Sequence, residues 1–205
     1  MAASFPLRKA PSKTSALLRT SWLLSLLLSA ACGSSAPAVD RADPLPATLA
    51  PYFDNGVDFV ADPEVLEGEW RRDWSTELDT RVQESDTIAM VSVRTLREDI
   101  DPDGQTTYRV VIEEGRRVLG NPVDGQTLLV QDGALGFNSV AENVTRVQSM
   151  DWVLFLKWGL VENEVVAHWH LSPGTQPVIE RVDYLAERRR GVERDSNATV
   201  FVHEN

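Results

Sequence analysis

The sequence predicts a mostly β, α+β domain: a small five-stranded barrel entered through an amphipathic helix and closed by a second helix near the C-terminus. Two observations predict it. Apolar residues recur at helical spacing between residues 66 and 82, and from residue 87 onward the spacing switches to every second position. Clusters of Pro, Gly, Asp and Asn then punctuate the alternating runs, as turns between strands require.

Residues 1–31 precede this domain and have their own chemistry. Arg8, Lys9, Lys13 and Arg19 lead into the apolar stretch from Thr20 to Ala31, which ends at Cys32. A helix of a dozen residues reaches about 18 Å, short of the roughly 30 Å hydrocarbon core, so the stretch suits a secretory h-region and not a membrane span. Leu28-Ser-Ala-Ala-Cys32 resembles a bacterial lipobox, with small residues before the cysteine for the signal peptidase and Ser29 where Leu is usual. The resemblance implies cleavage before Cys32 and lipidation of that residue. Gly33 follows it, where an aspartate would favour the inner membrane, so outer-membrane residence is expected, on the periplasmic or the surface side. An ordinary secretory signal with an incidental cysteine is the competing reading.

Composition agrees with export. Cys32 is the single cysteine, so no disulfide braces the domain. The four basic residues of 1–31 leave 16 basic against 31 acidic side chains beyond them, a net charge of −15. Such a surface repels nucleic acid and anionic headgroups. Membrane attachment would therefore come from acyl chains, and stable anchoring takes more than one.

Residues 32–55 read as the lipidated cysteine and a tether, with Pro37, Pro44, Pro46 and Pro51 among small and acidic residues. The globular part is expected over 56–192 and a frayed tail over 193–205. Asp62-Pro63 offers an N-cap and a proline at the first helical position. Leu66, Trp70, Trp74, Leu78 and Val82 form the apolar stripe, with Gly68 as a potential break. Core packing is the plain reading of the two tryptophans, and a partner-binding ridge the alternative.

Strands are expected over 87–96, 106–113, 127–131, 152–158 and 165–171, and a closing helix over 177–190. Asp101-Pro-Asp-Gly104 joins the first two as a hairpin. Trp152-Val-Leu-Phe-Leu156 is apolar on both faces, which marks a central strand. The order Ser85–Val93, Thr107–Ile112, Val118-Leu-Gly120 and Trp152–Leu156 resembles secreted OB-fold barrels of the netrin and tissue-inhibitor-of-metalloproteinase type, over residues 85–171. Those inhibitors act through a free N-terminal cysteine held by disulfides. Here the one cysteine would be acylated, so the resemblance carries fold and makes envelope-protease inhibition the weakest functional reading. The mature chain, with Ala167-His-Trp-His-Leu-Ser-Pro173, also resembles myxobacterial-type lipoproteins without an assigned activity, which implies a cell-envelope role.

Candidate chemistry is sparse. His168 and His170 stand two apart in a strand, so both imidazoles are expected on one face, with Trp169 toward the core. Two imidazoles at this spacing can seat Zn²⁺ or Cu²⁺ if further ligands join, while a solvent-facing pair is the plainer reading. Asp99, Asp101, Asp103 and Gly104 match the opening of a calcium loop, but Val110 stands where the bidentate acid belongs. In the loop after the third strand, Phe137 and Asn138 are candidates for contacting a partner. No nucleophile elbow, zinc-protease helix or Ser-x-x-Lys pattern occurs. The reading is a lipid-anchored, non-enzymatic binding or assembly module with no cofactor, partnered by the membrane through its lipid and by an envelope protein.

Overall fold

The computed structural model describes residues 42–200, with side chains through Glu193. Residues 1–41, which hold the expected signal and Cys32, lie outside the described residues, as do residues 201–205. The elements are β1 (Gly56–Val57), α1 (Gly68–Glu84), β2 (Thr87–Ile100), β3 (Thr106–Leu119), β4 (Thr127–Gln131), α2 (Phe137–Ala141), α3 (Val144–Ser149), β5 (Asp151–Val161), β6 (Glu164–Pro173) and α4 (Gln176–Val200). They build an α+β fold around one curled mixed sheet, a half-barrel, in the order β1-β6-β5-β2-β3-β4.

The sheet has six strands, not the expected five. The addition is β1, two residues running parallel to β6 with Gly56 opposite His170 and Val57 opposite Leu171. A two-residue strand shows no periodicity, so the sequence pattern is blind to it. The remaining ladders are antiparallel. Register shifts in the β2–β3 pair between Ile88 and Ala89, Met90 and Val91, and Val93 and Thr95 bend these long strands and help the sheet curl.

Each face of the sheet buries its own core. On the inner face, Leu154, Leu156, Trp152, Trp169 and Leu171 meet Val110, Ile112 and Leu128, and Val140 of α2 and Val147 of α3 close over them. The indole N–H of Trp169 donates to the carbonyl of Leu129 at 3.0 Å, so a side chain of β6 reaches across to β4 where no ladder joins them. On the outer face, Ile88, Val153 and Phe155 pack under Trp74, Leu78 and Val82 of α1 and Val178, Val182 and Leu185 of α4. β5 is thus covered on both sides, and Trp152 through Leu156 are fully buried, as their uninterrupted apolar run predicts.

Three boundaries differ from expectation. Residues 42–55 are part of the domain and not a spacer: Phe53 is buried in the outer core, and Leu45, Leu49 and Tyr52 pack against it. Asp62 caps only a 3-10 turn over Pro63–Val65, accepting the Glu64 N–H at 2.9 Å. The long helix restarts at Gly68, whose φ of +56° breaks the path in a conformation open to glycine. At the other end α4 runs on to Val200, past the expected stop at 190.

The α1 stripe is only partly core. Leu78 and Val82 are fully buried and Trp74 nearly so, but Trp70 is 79% exposed. A row spaced by four residues drifts about 40° around the helix at each step, so Trp70 lies about 80° from Leu78 and turns out of the contact. Among the described residues no helix is long and apolar enough to cross a membrane.

Candidate functional site

His170 sits at the centre of a buried polar cluster on the outer face of the sheet. Residues 54–58 run along the free edge of β6 and bring their side chains over it. Asn55, in a left-handed conformation with φ +59°, donates its N–H to the Trp169 carbonyl at 2.8 Å and accepts the Trp169 N–H on its side-chain oxygen at 3.0 Å. Asp58 then donates its N–H to the Leu171 carbonyl at 3.0 Å. This double grip positions two carboxylates on either side of the His170 ring. Nδ1 lies 2.8 Å from Asp54 Oδ1, and Nε2 lies 3.2 Å from Asp58 Oδ2.

Neighbouring groups complete the cluster. Asp54 Oδ1 also accepts the Gly56 N–H, and Asp58 Oδ1 the Val60 N–H. The Ser172 hydroxyl donates to Asp58 Oδ2 at 2.6 Å. Arg81 of α1, only 3% exposed, places Nη1 3.7 Å from Asp58, donates from Nη2 to Glu77 at 3.0 Å, and donates from Nε to the Tyr52 carbonyl at 3.2 Å. A neutral imidazole can donate to one carboxylate only; a doubly protonated ring satisfies both. Burial pushes the Asp58 carboxyl up, but the hydrogen bond and charge of His170, with Ser172 and the Val60 N–H, outweigh it and hold the group below its ordinary 3.8.

Serine, histidine and aspartate therefore meet here, but not as a hydrolase arranges them. The Ser172 proton goes to Asp58 and not to the imidazole, and Ser172 is fully buried. A nucleophile needs a base beside it and a path for substrate. The cluster instead ties three parts of the chain together: the 52–58 segment, α1 and β6.

His168 is separated from this cluster in chemistry although it shares the face. Its ring lies against Gly159, where an added Cβ would come within 3.0 Å of Nε2, and Nε2 has no hydrogen-bond partner. Burial pushes its pKa below the ordinary histidine value of 6.5. The histidine pair is thus not convergent: His170 is buried with both nitrogens facing aspartates, while His168 is half-buried with its ring against Gly159. Among the described residues no group of three or more His, Cys, Asp or Glu side chains could hold a metal ion.

The other candidates resolve locally. Asp99 pairs with Arg109, and Asp101 Oδ1 accepts the N–H groups of Asp103 and Gln105, so the acids of the 99–104 segment build the hairpin turn. Phe137 begins α2 and turns inward, its ring 5.6 Å from that of Tyr108, while Asn138 stays exposed. The apolar side chain this loop presents is Leu135, 73% exposed. Leu135 and Val161 line a cavity of about 300 Å³ with Leu45, Phe53 and His168.

Sequence reasoning missed Asp54, Asp58 and Arg81. The aspartates lie 116 and 112 residues from His170, beyond any local pattern. Arg81 left a trace, since it follows Leu78 by three residues and so shares the apolar face, where a charge needs a buried partner. Searched against models of protein families, curated proteins and solved structures, the chain matches none.

Proposed function

We propose that this chain is an exported, lipid-anchored protein of the outer membrane, and that its folded part is a non-enzymatic binding or assembly module. The observation that carries the proposal is the N-terminal sequence: four basic residues, a short apolar stretch, and Ala30-Ala31 before a single cysteine. The fold serves such a role as a rigid display surface. The His170 cluster tethers the entering chain to β6, which would keep pull on a lipid anchor from reaching the core.

Trp70 and Val65 are the groups best suited to a protein partner. They stand 79% and 71% exposed near the start of α1, and tryptophan is among the residues enriched at binding hot spots. The OB-type relationship belongs to the same proposal. Without β1 the strand order is β6-β5-β2-β3-β4, with α2 and α3 between β4 and β5, which supports a partly open five-stranded barrel.

Fractionation of cells producing the wild type and Cys32→Ala tests the anchor. The wild type is expected in the outer-membrane fraction and the variant in the soluble or unprocessed pool; equal distribution of the two would sink the proposal. Crosslinking from the membrane fraction, with and without Trp70→Ala, then identifies the partner.

A further inference from the structure

We infer that the rim formed by Leu135 and Val161 rests on the lipid surface of the membrane that carries the anchor. This rests on acylation at Cys32. Nine residues lie between Cys32 and Ala42, so the point where the described chain begins lies within about 36 Å of Cys32 even if every residue is fully extended. The chain enters the fold at this rim. The Asp43 carbonyl accepts the Leu160 N–H, and Pro44 and Leu45 line the same cavity as Leu135 and Val161. Two separate turns present the apolar groups. Leu135 is carried by the loop after β4, and Val161 by the β5–β6 hairpin, whose turn residues Glu162 and Asn163 both have positive φ.

Exposed large aliphatic side chains on adjacent loop tips, next to the entry of a lipid-bearing segment, are placed to enter the boundary between headgroups and acyl chains. Glu162, Glu164 and Asp132 flank them, so the surface that suits this rim is zwitterionic and not anionic. β5 runs from Asp151 to Val161, so its Trp152 end points away from the rim. Trp70 is at that end: Trp74, one turn along α1, shares a cleft with Pro177, which closely follows Pro173, the partner of Trp152. A rim on the membrane thus leaves Trp70 facing outward.

The test uses the acylated full-length protein in phosphatidylcholine–phosphatidylethanolamine vesicles. Acylation consumes the Cys32 thiol, so Leu135→Cys, Val161→Cys or Trp70→Cys carries the only free thiol for an environment-sensitive fluorophore. Expected are blue-shifted emission and several-fold stronger quenching by lipid-borne quencher at positions 135 and 161 than at 70. Equal, weak quenching at all three in vesicle-bound acylated protein overturns the inference, leaves the anchor intact and frees the rim for a protein partner. Protein without acyl mass that stays off the vesicles overturns the anchor and this inference with it.

Discussion

Replacing His170 with alanine should cost more stability than any other single change in the polar cluster. The ring is 3% exposed and bridges two carboxylates at the two ends of the 54–58 segment. Its removal takes the ring from both Asp54 and Asp58 and leaves Asp58 with Ser172, the Val60 N–H and a distant Arg81. Hydrogen bonds to charged groups are worth about 1.5–3 kcal/mol each, and breaking a buried ion pair on one side costs about 3–5 kcal/mol. Both routes lead to a loss of about 3–5 kcal/mol, against a total of about 5–15 kcal/mol for a typical domain. With an m value near 2 kcal/mol/M, the urea midpoint followed by tryptophan fluorescence should fall by about 2 M. His170→Gln, which fills the site and can serve one aspartate, should fall between wild type and His170→Ala. A midpoint for His170→Ala within about 0.5 M of wild type would refute the reasoning, because the clamp would then contribute almost nothing.

Three further outcomes follow from the geometry. Gly136→Ala should destabilise by about 2–3 kcal/mol in the same assay, since its Cβ would lie 2.3 Å from the Gly56 Cα and force β1 off α2. Trp169→Phe should lose about 2–4 kcal/mol, from the space vacated in the inner core and from the Leu129 carbonyl left without its donor. The pH dependence has a definite sign. Burial lowers the His168 pKa below 6.5, so below that value this group binds more protons in the unfolded chain, and stability should fall as pH drops from 6.5 through the lowered folded-state value. His168→Gln should flatten that part of a melting-temperature profile. Asp58, also depressed, adds its contribution fully at neutral pH and loses it only as pH falls from about 3.8 through its lower folded-state value.

The parts of the fold legible in the sequence are those governed by local period. β4 falls at residues 127–131 as its alternation predicts, and β5 shows its central place through an apolar run on both faces. The hairpin at Asp101–Gly104 announces itself through turn chemistry that four hydrogen bonds to and from Asp101 then realise. What escaped depends on distant partners. Residues 42–55 look like a spacer because Pro44, Pro46 and Pro51 dominate them, yet Phe53 finds a core built from α1 and α4. The His-Trp-His pattern suggested chemistry for a pair, whereas the structure gives each histidine a different neighbour: aspartates for His170, Gly159 for His168. Alternation set their common face correctly. It could not tell that a segment from upstream of α1 would cover that face.

The anchor is the claim on which the functional account depends, and the intact mass of the protein purified from membranes tests it most directly. The account predicts a chain lacking residues 1–31, beginning at Cys32 and heavier than its sequence by the mass of its acyl groups. A chain that retains residues 1–31, or one that carries no added lipid, would contradict it.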